Sequence, residues 1–180
     1  MKIFAIYAKP ILTERPEWFD DFYDSYGGGY DLHITLKQSC FIDEKDEQDV
    51  KNKLFSLFNS LQTPNHRMHL TLDTLVVPET GCIMINAREY AALHRLQKKI
   101  LSVLKGYNQY TAPELQEYEK NFIPHITIAQ DVALVKKESL ETLKSHCLFK
   151  AIIQDIACIF LKEATLEEAN NPKNRTMYLL

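Results

Sequence analysis

A chain of 180 residues, 46% hydrophobic and 25% charged, has the length and composition of one globular domain, or of two closely packed lobes, with a sizeable core. A formal charge of −3 supplies no basic surface able to track a long phosphate backbone, so long duplex nucleic acid is excluded as a partner. The opening MKIFAIYAKP has too short an apolar run for a signal peptide and no stretch reaches transmembrane length, so a cytoplasmic protein with no membrane partner is expected.

In chain order, KIFAIYA (2–8) reads as a short apolar strand. An aromatic helix follows around ERPEWFDDFYDSY (14–26) and stops at Gly27, Gly28 and Gly29, a flexible turn or lid hinge. No Gly-Lys-Ser/Thr follows the glycines, which argues against a phosphate loop. DLHITLKQSCFI (31–42) is a strand, and Val50, Leu54, Leu57, Phe58 and Leu61 share one face of an amphipathic helix. MHLTLDTLVV (68–77) and CIMINA (82–87) are strands, after which Leu93, Leu96, Ile100, Leu101 and Leu104 mark a second long helix closing near Gly106. Residues 107–121 read as a polar segment without an element. Then come the strand FIPHITIAQ (122–130), a helix near 136–147, the strand KAIIQDIACIFL (150–161), a polar loop through Asn170, Asn171 and Pro172, and a closing strand RTMYLL (175–180). Cys40, Cys82, Cys147 and Cys158 have no CxxC spacing and sit in apolar company, as free buried thiols in a reducing compartment would, with a disulfide pair as the lesser alternative.

The first half thus runs strand, helix, strand, helix, strand, and from Cys82 onward the same order returns with one extra strand. Three hexapeptides stand out within it: HITLKQ at His33, HITIAQ at His125 and HLTLDT at His69. The repeated order matches His33 with His125. It gives His69 no counterpart, because AIIQDIACIF has no histidine, so His69 and Thr71 are expected to be incidental.

Side chains alternate across a strand, so His33, Thr35 and Lys37 are expected on one face and Ile34 and Leu36 on the other; likewise His125 and Thr127 oppose Ile126 and Ile128. If the two halves face each other, two imidazoles and two hydroxyls converge on one cleft. That set suits phosphoester chemistry without a metal. One neutral imidazole takes the proton of the attacking oxygen, a protonated one donates to the leaving oxygen, and the threonine hydroxyls donate to the nonbridging oxygens.

LHITLK and PHITIA, each an H-x-T-x motif on a strand, resemble the paired signatures of the two-histidine (2H) phosphoesterase superfamily. The nearest branch is the 2′-5′ RNA ligase-like one, which includes RNA 2′,3′-cyclic phosphodiesterases. The resemblance implies an α+β fold in which residues 1–180 form one domain of two pseudo-symmetric lobes, with antiparallel sheets lining a central cleft and helices outside. It implies a hydrolase working without cofactor on a nucleotide or RNA 2′,3′-cyclic phosphate terminus. His33 and His125 would be catalytic, and Thr35, Thr127 and Lys37 would contact the phosphate. Lys37 stands where many members carry a basic residue, whereas Gln130 stands where many have arginine. A monomer is expected. The alternative is a nucleotide- or RNA-end-binding protein on the same scaffold without turnover.

The remaining candidates read as structural. His66 and His69 with Cys40 or Cys82 do not make the paired four-ligand pattern of a zinc site. His94 lies on the polar side of its helix and His146 near a helix end. Tyr30, Tyr107 and Tyr110 could stack on a base at a cleft mouth, though packing is the commoner role of such residues.

Overall fold

The computed structural model describes residues 1–61, 67–145 and 147–180. Along the chain run β1 (Lys2–Glu14), α1 (Phe19–Tyr26), β2 (Ile34–Ile42), α2 (Glu47–Leu61), β3 (Met68–Val76), β4 (Ile83–Ala87) and α3 (Ala91–Val103). They are followed by α4 (Glu114–Lys120), β5 (His125–Ala129), α5 (Lys137–Ser145), β6 (Phe149–Leu161), α6 (Leu166–Asn170) and β7 (Arg175–Leu179). No helix among the described residues is long and apolar enough to cross a membrane. All four cysteines are free thiols, Cys40 and Cys158 buried, Cys82 and Cys147 half-buried.

Every strand pair is antiparallel, and the strands join in the order β2-β1-β6-β3-β4-β5, with β7 also on β6. Strand β1 runs well past the apolar KIFAIYA because β6 is equally long and pairs with it from Ile3↔Leu161 to Glu14↔Lys150. Pro10 is tolerated there because the register shifts beside it, where a missing N–H does least harm. The expected helix start near Glu14 is correspondingly late: residues through Glu14 belong to β1, Pro16 turns the chain, and α1 begins at Phe19.

The other edge of β6 is divided. Phe149–Ile153 pair with β3, whereas Asp155–Ile159 pair with β7. Between them the Gln154 carbonyl accepts the Leu180 N–H at 3.0 Å, closing β7 against the point of division. The sheet therefore continues through β3 to β4 and β5 from one half of β6 and ends at β7 on the other.

One face of the sheet carries the core. Phe4, Ile6 and Ala8, Ile34 and Leu36, Leu70 and Leu72, Ile83 and Ile85, Ile126 and Ile128 are all buried there. Against them pack the apolar faces of α2 (Val50, Leu54, Leu57, Phe58) and α3 (Leu93, Leu96, Ile100), at the helical period read from the sequence. Phe19 and Phe22 of α1 bury with Trp18 beside Phe149, edge to face.

The segment 107–121 is not featureless. Residues 109–111 run beside β2, with Phe41 N–H donating to the Gln109 carbonyl at 2.7 Å and Thr111 N–H to the Ser39 carbonyl at 3.0 Å, so this sheet edge is covered. Helix α4 then delivers Glu119 to Lys37. The Lys37 ammonium lies 3.4 Å from both Glu119 carboxylate oxygens, with side chains 0% and 6% exposed. The same carboxylate accepts from the Gln38 N–H at 3.0 Å and the Tyr110 hydroxyl at 2.5 Å, and Gln97 of α3 donates to the Glu119 carbonyl at 3.0 Å. Burial, and then the Glu119 hydrogen bond, push the Tyr110 hydroxyl pKa up. ELQEYEK shows no apolar periodicity because what this helix buries is a charge.

Removing one member of such a pair leaves the other buried and uncompensated. Lys37→Met is expected to cost about 3–5 kcal/mol in urea unfolding. A loss below about 1 kcal/mol, the value of an exposed pair, would show that the pair contributes no more than surface charges do.

Candidate active site

Helix α1 ends at Gly27, and Gly28 and Gly29 take left-handed φ of 74° and 75° to turn the chain toward β2. A Cβ on Gly28 would stand 2.6 Å from Gln130 Cγ, so glycine also permits a close approach between the loop before the first motif and the residue just past the second. Gln130 fixes that approach. Its N–H donates to the Tyr26 carbonyl at 3.0 Å and its side-chain amide to the Gly27 carbonyl at 3.2 Å. Gln130 is therefore a clamp between β5 and α1.

His33 immediately precedes β2, and His125 is the first residue of β5. The two rings are anchored alike. His33 Nδ1 lies 2.7 Å from the carbonyl of Asp31, and His125 Nδ1 lies 2.8 Å from the carbonyl of Ile123, each two residues upstream. A carbonyl only accepts, so each Nδ1 carries the hydrogen, and each Nε2 is left as the proton acceptor of a neutral ring or the donor of a charged one. Thr35 pairs with Tyr7, and Thr127 with Met84, so each hydroxyl is half-buried one alternation beyond its histidine, while Ile34, Leu36, Ile126 and Ile128 fill the core.

Although β2 and β5 end the strand order at opposite sides, their Cα atoms approach within 8 Å, so the sheet curls to bring the two strands near each other. The electrostatics agree. The His33 pKa is lowered, chiefly by burial, against the opposing hydrogen bond to Asp31; the charge of His125 lowers it further, as does that of Arg175. The imidazoles are thus within electrostatic reach, and the His33 pKa lies below its ordinary range.

A pocket of about 320 Å³ opens beside His33, lined also by Thr35, Tyr7, Tyr30 and Arg175. The Tyr7 ring centroid lies 5.2 Å from that of His33. His125 and Thr127 are not part of this lining. Arg175, the first residue of β7, carries no signal in the sequence. Its Nη1 donates to Asp31 Oδ2 at 2.5 Å, and Nε and Nη2 donate to the Ala169 carbonyl at 3.2 and 2.8 Å. Lys9 reaches the same Asp31 oxygen at 3.4 Å. Burial alone would raise the Asp31 pKa, but the Arg175 hydrogen bond and charge, with those of Lys9, carry it below the usual carboxylate value.

Lys37 departs from the expected face. The register runs Tyr7↔Thr35, then Ile6↔Lys37, then Phe4↔Cys40, with shifts between, so β2 bulges twice and Lys37 comes opposite a core residue. It lies 5.1 Å from the Tyr110 ring and 5.9 Å from the Phe4 ring, paired with Glu119; Gln38 and Ser39 line the pocket in its place. Lys37 is thus turned to Glu119, away from the pocket where a phosphate contact was expected of it. His69 is exposed and borders a separate groove of about 610 Å³ with Arg67, Arg95 and Lys99. Tyr30 lines the first pocket, whereas Tyr107 bonds Asp49 and Tyr110 bonds Glu119. His94 stacks on Phe122; His66 and His146 lie outside the described residues. Among the described residues no group of three or more His, Cys, Asp or Glu is placed to hold a metal ion.

Residues 13–149 match the family model described as the 2′-5′ RNA ligase superfamily. No curated protein matches the chain. Among solved structures, E. coli LigT complexed with 3′-AMP superposes with a TM-score of 0.54 at 13% identity, covering 99% of this chain and 95% of that one. Kluyveromyces marxianus Usb1 with uridine monophosphate gives 0.53 at 11%, covering 99% and 98%. TT0787 of Thermus thermophilus gives 0.52 at 17%, covering 100% and 95%. At these identities the likeness is one of fold.

The lowered His33 pKa has a consequence for stability. Below the ordinary value of 6.5 the unfolded chain binds a proton that folded His33 resists, so stability is complete above that pH and falls as pH drops through the folded value. Melting temperatures across this acid range are expected to decline in the parent, and His33→Gln is expected to flatten part of that decline. An identical slope in both proteins would contradict a lowered His33 pKa in the folded chain.

Proposed function

The chain belongs to the 2′-5′ RNA ligase superfamily, and on that premise we propose that it is a phosphoesterase that opens a 2′,3′-cyclic phosphate, on an RNA end or a small nucleotide, by two-histidine acid–base catalysis. The observation that carries this reading is the matched anchoring of the two rings: each Nδ1–H is held by a carbonyl two residues upstream, and each Nε2 is left free on strands that approach each other. The bound nucleotides of two neighbours in fold, 3′-AMP on LigT and uridine monophosphate on Usb1, support a nucleotide phosphate as the ligand class.

In the proposed step, neutral His33 accepts through Nε2 the proton of an attacking water. The water oxygen bonds to phosphorus as one ring P–O bond breaks, and protonated His125 donates from Nε2 to the leaving ribose oxygen. The product is a phosphate monoester with a free neighbouring hydroxyl. His33 takes the base role because burial and nearby positive charge disfavour its protonated form. Thr35 and Thr127 donate to the nonbridging oxygens, where charge is concentrated. The proposal includes one domain, residues 1–180, of two pseudo-symmetric lobes. The matched pairing β2–β1–β6 and β5–β4–β3, in which each third strand joins the other trio, supports it.

The test is hydrolysis of a 2′,3′-cyclic nucleotide in EDTA. Turnover is expected to persist under chelation and to be bell-shaped in pH. His33→Ala and His125→Ala should each lose about 10²–10⁴-fold in rate. The double variant should be scarcely slower than either single one, since the rings act as a unit. A parent protein that binds the nucleotide without hydrolysing it would instead support the non-catalytic reading.

A further inference from the structure

We propose that Arg175 is a positioning residue for His33: through the Asp31 side chain it holds the Asp31 carbonyl against Nδ1 and so keeps Nε2 free to accept a proton. This inference rests on the reading of His33 as a base. Its ground is a chain of contacts between β7 and the first motif. Arg175 is spanned between two acceptors, the Ala169 carbonyl at the end of α6 and the Asp31 carboxylate, and its own side chain is only 13% exposed. Asp31 then offers its carbonyl to His33 Nδ1 at 2.7 Å. One residue thus joins a guanidinium on one side to an imidazole on the other.

The loop that Arg175 restrains needs restraint. It leaves α1 through two glycines with left-handed φ, the residues least able to hold a single backbone conformation by themselves. A second bond ties it to the same segment, from the Asn170 amide to the Gly29 carbonyl at 2.9 Å. Residues 169–175 therefore grip the glycine loop at two points, one upstream and one downstream of Tyr30. Nothing corresponding serves the second motif among the described residues: its anchoring carbonyl belongs to Ile123, an apolar residue 50% exposed. The two histidines share an anchor geometry but only His33 has its anchor locked by charge.

The charged and titratable groups facing His33 are Asp31 from its own loop, Tyr7 of β1, Arg175 of β7 and His125 of β5, with Lys9 of β1 acting on Asp31. Helix α6 contributes Ala169 and Asn170 to the pocket, neither of them ionisable. Arg175 opposes a proton on His33 directly and also neutralises the one carboxylate that would favour it. An arginine suits the place because its rigid planar fork presents separate N–H groups to two acceptors at once, whereas a lysine offers a compact point charge on a flexible stem.

The experiment is an NMR titration of histidine-labelled protein, reading His33 ionisation and tautomer in the parent, Arg175→Gln and Asp31→Asn, with kcat and KM on a 2′,3′-cyclic nucleotide alongside. Arg175→Gln is expected to move His33 titration up by about 0.5–1 pH unit and to mix in the Nε2–H tautomer. Asp31→Asn, which keeps the carbonyl, is expected to move the titration down. Arg175→Gln should lower kcat by roughly 10–100-fold with KM little changed, because a misplaced ring costs rate rather than binding. Should Arg175→Gln fail to fold, Asp31→Asn decides alone, since its side chain is half exposed and its predicted direction is opposite. Unmoved titration and tautomer in the folded variants would overturn the proposal. A parent with no hydrolysis would overturn the catalytic reading, while the titration would still decide whether Arg175 positions the ring.

Discussion

The architecture depends on β6, and in particular on how its second edge is shared. A 13-residue strand pairs along one side with β1 over nearly its full length, which fixes β1 and, through it, β2. On its other side it must satisfy its backbone groups twice over, with β3 for five residues and then with β7 for five more. Had β3 run the full length, β7 would have no place and Arg175 would not stand beside the first motif. Had β7 taken the whole edge, β4 and β5 would be severed from the sheet. Division at Gln154 gives both, with the histidine-bearing strands at the ends of one sheet and the C-terminal strand closing the pocket beside His33.

From this follows the way the histidines are held. Neither ring sits in the middle of a strand, where the ladder would occupy the neighbouring carbonyls. Each stands at the start of its strand, where the carbonyl two residues back is free to accept from Nδ1. The sheet supplies orientation through alternation, with isoleucines driven into the core on either side of each motif, and the strand entrance supplies the tautomer. The two sites nevertheless differ in surroundings. His33 lies between Tyr7 and the Asp31–Arg175 pair, and its loss of proton affinity follows first from its burial there.

Much of this was legible in the sequence, for physical reasons. The apolar faces of α2 and α3 recur at helical spacing because each packs one face on the sheet, and the H-x-T alternation marks two strands because isoleucine must go inward where histidine goes outward. What escaped was set by contacts distant in the chain. Lys37 follows the alternation on paper, but two bulges in β2 are fixed by pairing with β1, and they turn it to Glu119. Helix α4 has no apolar stripe because its buried side chain is that same glutamate. Arg175 follows a polar loop and shows no pattern at all; its partner Asp31 is 144 residues away, and only the division of β6 brings them together. The duplicated order of elements was visible, yet the exchange of third strands between the two trios was not, since strand partners in an antiparallel sheet leave no local mark.

In the proposed reaction the two Nε2 atoms address one phosphate. This is tested most directly by a crystal structure with a nucleoside 3′-monophosphate bound. Phosphate oxygens are expected within hydrogen-bond distance of His33 Nε2 and His125 Nε2 at once, with the Thr35 and Thr127 hydroxyls on the same phosphate and Lys37 remaining on Glu119. A nucleotide whose phosphate touches only one imidazole, or which lies in the groove beside His69 and Arg95, would contradict it.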